Sequence, residues 1–399
     1  MTDRQLAYST LYQVIQNGAY SNLALKKTSN FATAIFYGVL ERKLTLDYIL
    51  NKYIKKPKLD IEVRIILWMG LYQIIYMDKV PLQVTVNETV NLVNFAKKSS
   101  AKGFVNGVLR SYLRDKAEIP QNDLSIKYSC NKEIVDLLTC QYGVEDTALI
   151  LEHSLKIPPI YARVNTLKTS TEELLKKIDG KETIKNCIAI DNIKEIDKMK
   201  EYKQGYFHIQ DISSQLCIQM LNPKPNDTII DMCSAPGSKA FTMAEYMQNQ
   251  GKILAFDIHP HKIELIKQGA KRLGIDIIDA LVQDGTLAQN IPLVDKVLCD
   301  VPCSGLGIIG RKPEIKYKEL SKELPQVQYK ILSNGANYTK DILVYSTCTI
   351  NKLENEDVVN LFLSNHREFK LELMITRIPH KDNCDGFFTA VMSKGGNRC

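Results

Sequence analysis

From about residue 226 onward, short apolar runs alternate with helix-patterned stretches, and this alternation limits the fold more than any other feature of the chain. The runs are DTIIDMCS, KILAFDI, DALVQD, DKVLCDVP and DILVYSTC, and stretches such as KAFTMAEYMQ and KIELIKQGAKRLG lie between them. Strand and helix in this rhythm predict a parallel sheet with helices on both faces. Ligands of such sheets bind beyond the carboxyl ends of the strands, so the residues at those ends share a destination. Four runs finish on or beside an acid: Asp231, Asp257, Asp284 and Asp300.

Each end carries its own chemistry. In DMCSAPGSK (231–239), Pro236 and Gly237 predict a tight turn into a helix, whose backbone amides can face a polar or anionic group. The phosphate-loop pattern and G-x-G-x-x-G are both missing, and a purely structural turn is the alternative. Asp257 stands where an acid can accept both hydroxyls of a ribose. Asp284, in QDGT, can accept from an exocyclic amine. Three such acids converging on one edge favour a nucleoside-type cofactor. Cys303 and Cys348 follow the fourth and fifth runs. A thiol there can attack an electrophilic ring carbon as its thiolate, and Asp300 can protonate a ring nitrogen if burial raises its pKa. Two small packed cysteines are the alternative. His259 and His261 read as a solvated helix start.

Upstream, residues 1–140 read as helix after helix, with EVRIILWMGLYQIIYM apolar on most faces, as a central helix would be. Residues 145–225 read as a small α+β connector, and 226–399 as the sheet domain. The first 140 residues hold 19 Lys and Arg against 12 Asp and Glu, out of 52 and 45 in the chain, so the remainder is balanced at 33 each and the whole surplus of +7 is N-terminal. A basic module beside a neutral one suits a polyanion. The cluster Lys52, Lys55, Lys56 and Lys58 can track phosphates or be a solvated helix end. Among ten cysteines there is no C-x-x-C pair, so no metal site is expected, and Cys130, Cys140, Cys187, Cys217 and Cys299 read as small core residues. No apolar run approaches the roughly 20 residues that span a bilayer. The expectation is a cytoplasmic monomer with no membrane contact.

The stretches DMCSAPGSK, DVPCSGLGIIGRKPEIKY, VYSTCTINKLENE and DGFFTAVM resemble the RNA cytosine-5 methyltransferases that use S-adenosylmethionine; a Pro-Cys on one strand end and a Thr-Cys on the next is specific to that family. FYGVLERKLTLDYIL and RVNTLK are similar to its bacterial ribosomal branch, so the resemblance covers nearly the whole chain. It implies an all-α NusB-like RNA-binding domain, an α+β connector and a Rossmann-like class I methyltransferase domain. The implied substrate is a cytosine of small-subunit (16S) ribosomal RNA. It makes Cys348 the nucleophile toward cytosine C6, Asp300 the N3 proton donor and Cys303 an aid to product release. It assigns Cys233, Ser234, Ala235, Pro236, Gly237, Ser238, Lys239, Asp257, Asp284 and Asp300 to the cofactor. Arg311 and Lys312, after the Pro-Cys loop, can hold an RNA phosphate or be a solvated loop.

Ser238 stands where the family commonly has glycine, Thr349 replaces a common serine, and NYTKDILVY lacks a common Gly-Gly turn; the expectation is altered loop shape with activity kept. Two rival readings remain open: a non-catalytic RNA-binding or antitermination-type factor, and an exocyclic-amine methyltransferase with DVPC as a degenerate motif.

Overall fold

The computed structural model describes residues 1–17, 29–55, 59–191, 195–288 and 290–395. Lys56 and Lys58 of the basic cluster lie outside them. The chain forms two units by spatial contact: Met1–Lys156 with Ile309–Leu320, and Ile157–Ile308 with Ser321–Cys399.

The first unit is helical: α1 (Asp3–Asn17), α2 (Asn30–Glu41), α3 (Lys43–Asn51), α4 (Ile61–Tyr76), α5 (Leu82–Phe95), α6 (Lys102–Asp115), α7 (Leu124–Tyr128) and α8 (Lys132–His153). The all-round apolar pattern of α4 is matched by burial of Ile65, Ile66, Leu67, Trp68, Met69 and Leu71 in the unit's core. One apolar pattern over 31–54 becomes two helices because the backbone leaves helical geometry at Arg42 (φ −123°). The expected boundary near 140 falls inside α8, close to its kink at Gly143 (φ 81°). Cys140, expected in a core, is exposed; it sits on the solvent side of that helix. Segment 309–320 packs here through side chains that periodicity does not anticipate. The Lys316 ammonium is fully buried and donates to the Tyr128 carbonyl at 3.2 Å. The Tyr317 hydroxyl donates to the Leu40 carbonyl at 2.5 Å.

The second unit opens with a four-stranded antiparallel sheet ordered β2-β3-β1-β4, from β1 (Ile160–Val164), β2 (Gly180–Ile184), β3 (Cys187–Ile190) and β4 (Phe207–Ile209). After α9 (Ile212–Leu221) come β5 (Thr228–Asp231), α10 (Ser238–Tyr246), β6 (Lys252–Asp257), α11 (Pro260–Leu273), β7 (Ile278–Val282), β8 (Val294–Asp300), α12 (Leu324–Tyr338), β9 (Thr339–Thr347), α13 (Glu356–Asn365), β10 (Phe369–Arg377) and β11 (Phe387–Lys394). The large sheet runs β10-β11-β9-β8-β5-β6-β7. Strands β5 to β9 are parallel, as the alternation predicts. The sheet as a whole is mixed: β10 and β11 follow each other through the short connection 378–386 instead of a crossover helix, so β11 enters antiparallel to both neighbours.

The small sheet is stitched to the large one by buried polar groups. Arg163 of β1 donates to Glu245 of α10 at 2.8 Å, with both side chains almost wholly buried. Asn165 donates to the carbonyls of Gly205 and Leu273, each at 2.8 Å. Burial, and then the nearby Arg163 charge, push His208 down to about 3, so this imidazole is neutral.

Candidate active site

Strand β5 lies between β6 and β8. The chain passes from β5 to one side of the sheet and then returns to the other, which opens a crevice at the strand ends. A cavity of about 500 Å³ occupies this edge. It is lined by Met232, Cys233 and Ala235 after β5, by Asp257, Ile258 and His259 at the end of β6, by Gln283 to Thr286 after β7, by Asp300 to Cys303 after β8, and by Cys348 after β9. Cys348 therefore shares a wall with Asp257 and Asp284. The volume is in the range of a small-molecule site.

The turn after β5 is tight. Gly237 has φ 103°, and a Cβ there would lie 2.6 Å from the Phe241 ring, so glycine is required on both counts. Helix α10 begins at Ser238. The residues expected to cradle a cofactor divide at this turn. Cys233 and Ala235 face the cavity, whereas Pro236 and Ser238 line a separate cleft with His208 and Arg272. Ser234 is buried. Lys239 turns to Asp300, Nζ to Oδ2 at 2.7 Å.

Asp257 is held by the backbone N–H of His259 (3.0 Å), with Lys262 at 3.7 Å. Asp284 accepts from the Thr286 amide (2.8 Å) and hydroxyl (2.7 Å). These contacts fix each carboxylate beside the cavity. Asp300 has two partners that the sequence does not reveal. It accepts from Lys239 and, at 2.8 Å, from the Ser346 hydroxyl, and its side chain keeps 24% of its exposure. Burial opposes the charge on Lys239, but Asp300 outweighs it and the ammonium is held above its ordinary value. Beneath them Asp231 is fully buried, and burial, followed by the Asp300 charge, pushes it up to about 7.

The two thiols meet. Cys303 Sγ lies 3.3 Å from Cys348 Sγ. The hydrogen bond to Cys348, then burial, push the Cys303 thiol well up. Their loops are cross-linked by the Ser304 and Thr349 hydroxyls at 2.8 Å. Behind Cys348, Gly307 donates to the Cys348 carbonyl at 3.1 Å. A Cβ at Gly307 would lie 2.0 Å from the Gly386 carbonyl oxygen, which explains the glycine in CSGLG. Asn355 ties down the other loop, accepting from Thr347 (2.6 Å) and donating to the Thr349 carbonyl (3.0 Å).

Arg311 and Lys312 belong to the segment that packs with the helical unit and are not among the cavity's lining residues. His259 precedes α11 as its N-cap and His261 is exposed, as read from the sequence. Asp231, Lys262, Ser346, Glu354 and Asn355 are the supporting residues that sequence reasoning left without a role. Asp231 was visible as a strand-end acid and the polar cluster ENE (354–356) beside a strand end signalled Glu354 and Asn355, whereas Lys262 and Ser346 had no signal. Among the described residues no group of three or more His, Cys, Asp or Glu is arranged to hold a metal ion, and no helix is long and apolar enough to cross a membrane.

Residues 218–393 match the family described as 16S rRNA methyltransferase RsmB/F, and residues 1–114 match the NusB family. The chain is 34% identical to the probable ribosomal RNA small subunit methyltransferase B of Bacillus subtilis (strain 168), over 98% of this chain and 99% of that one. The chain belongs to this methyltransferase family. Its likeness to the protein of the same description from Synechocystis sp. is 31%, with 98% of this chain and 99% of that one covered. The crystal structure of PH0851 has the same fold over 99% of each chain, with a TM-score of 0.85 at 24% identity. A methyltransferase homolog protein from Pyrococcus horikoshii matches 68% of the chain and 98% of its own, with a TM-score of 0.60 and 27% identity. The NusB-like helical domain and Rossmann-like methyltransferase domain expected from the sequence are thus both present.

Proposed function

We propose that the chain transfers a methyl group from S-adenosylmethionine to C5 of a cytosine in 16S ribosomal RNA, through a transient bond between Cys348 and C6. The observation that carries this reading is the pair of sulfurs 3.3 Å apart in a cavity that also holds Asp257, Asp284 and Asp300. The relatives named as small-subunit ribosomal RNA methyltransferases support the substrate.

The cavity suits the cofactor. Asp257 would accept from the ribose hydroxyls, Asp284 from the adenine amine, and Cys233 and Ala235 of the turn after β5 would face the amino-acid end. S-adenosylmethionine, when bound, supplies an electrophilic methyl group. The protein's part is to make C5 nucleophilic. Cys348 thiolate forms a bond to C6 while Asp300, replenished from Lys239, gives a proton to N3, and the ring electrons move to C5. After methylation a base takes the C5 proton. The C5=C6 bond re-forms, N3 returns its proton through Asp300 to Lys239, and Cys348 leaves as thiolate. Cys303, holding its proton 3.3 Å away, donates a hydrogen bond to the departing sulfur. The target base has to leave its stack to reach this edge.

The helical domain with its basic surplus would hold RNA, with Arg311 and Lys312 contributing phosphate contacts, and the 145–225 connector would complete a three-part chain. We assign the protein to the cytoplasm, as a monomer. Undermethylated small-subunit RNA with labelled cofactor tests the reading. Cys303→Ser should accumulate a protein–RNA adduct on a denaturing gel, and Cys348→Ser should give neither adduct nor transfer. Transfer by Cys348→Ser would favour exocyclic-amine chemistry, and binding without transfer by the unaltered chain would favour a non-catalytic factor.

A further inference from the structure

The loop that carries Cys303 is held on both sides of the cysteine by one buried acid and its partner. Glu354, only 2% exposed, accepts from the Ser304 amide at 2.8 Å and from Gln328 at 2.9 Å, both on Oε2. The same Gln328 amide group donates to the Pro302 carbonyl at 2.9 Å. Oε1 accepts from Asn351 at 2.9 Å. The peptide groups flanking Cys303 are therefore fixed to Glu354 directly and through Gln328. All three of these donors are neutral, so they orient the carboxylate without cancelling its charge. The Glu354 carbonyl also accepts from Tyr345 of β9, at 2.5 Å, which anchors the acid to the strand that delivers Cys348.

We propose that Glu354 is a positioning residue that sets Cys303 against Cys348 and, by its negative charge, reserves Cys303 for release and leaves attack to Cys348. This rests on the covalent reading above. Two thiols 3.3 Å apart are otherwise near-equivalent nucleophiles, and a fixed negative charge beside one of them disfavours that thiolate. Glu354 contributes in this sense to the raised Cys303 thiol, after the hydrogen bond to Cys348 and burial. Position and charge are separable. Glu354→Gln keeps the length and removes the charge. Glu354→Asp keeps the charge and shortens the reach to Ser304.

The test has two parts. In a Cys348→Ser background, iodoacetamide labelling of Cys303 is followed against pH by peptide mass spectrometry, a readout that needs neither RNA nor cofactor. Glu354→Gln should move the labelling midpoint down by about one pH unit, the scale on which a nearby charge acts, and Glu354→Asp should leave it within a few tenths. In the Cys348 chain, each variant should lengthen the lifetime of the protein–RNA adduct about tenfold with KM for RNA unchanged, and the lengthening should vanish when Cys303 is already Ser. Thermal melting checks that each variant is folded, and the Asp variant carries the test if the Gln variant is not. An unmoved labelling midpoint in Glu354→Gln, or an adduct lifetime equal to that of the unaltered chain in both variants, would overturn the proposal while leaving the covalent reading in place. Turnover by Cys348→Ser would take down both.

Discussion

Replacing Asp231 by Asn should stabilise the protein, and increasingly so as pH rises. Asp231 is fully buried at the end of β5, and its carboxyl is pushed from 3.8 to about 7, first by burial and then by Asp300. An acid whose folded pKa is raised binds its proton more tightly in the folded state, so folding loses stability as pH climbs from the unfolded value toward the folded one. With a scale of 1.36 kcal/mol per unit, the penalty is about 1.7 kcal/mol at pH 5 and about 4 kcal/mol at pH 8. Asn cannot ionise and escapes it. The fixed cost of changing hydrogen bonds enters equally at both pH values, and Glu245, also raised to about 7, titrates alike in both chains. The difference between the chains should therefore grow by about 2.5 kcal/mol from pH 5 to pH 8. Urea unfolding of both chains at the two pH values measures it. A stability difference that stays flat or shrinks with pH would show that Asp231 is ionised in the folded protein.

Two further predictions concern the frame and the cofactor. Arg163→Met leaves Glu245 buried without its cation and should cost about 3–5 kcal/mol, a fall in Tm of roughly 6–20 °C for a unit of this size; the double variant with Glu245→Leu should regain most of it, and calorimetry would refute the pairing if the single variant melted within 2 °C of the parent (taken as about one unit of measurement scatter, well below the scale above). Asp257→Ala should weaken S-adenosylmethionine about 10–100-fold, the scale of one or two hydrogen bonds to a charged group; an unchanged Kd by isothermal titration would remove Asp257 from the cofactor site.

What the sequence made legible was position along the chain, and what it hid was company. The strand ends were readable because apolar runs stop there and because β5 to β9 obey one topological rule. That rule alone brought Asp257, Asp284, Asp300, Cys303 and Cys348 to one cavity. It carried no information about β11, whose apolar run FFTAVM looks the same whether the strand lies parallel or antiparallel. Nor does periodicity anticipate a buried ammonium such as Lys316, whose partners, the carbonyls of Tyr128 and Glu41, lie 188 and 275 residues away.

Asp300 is the sharpest instance. Its place at a strand end was legible, while its partner was not: Lys239, 61 residues earlier, supplies an ammonium at 2.7 Å. The consequence is chemical. A solitary buried acid would hold its own proton for N3. On the proposed chemistry a carboxylate paired with an ammonium would instead draw on the Lys239 proton, and the buried Asp231 beneath, pushed up to about 7, is only partly ionised near neutral pH and so adds less than a full second negative charge. The charge state of the site thus follows from three residues spread over 69 positions, joined only by the fold.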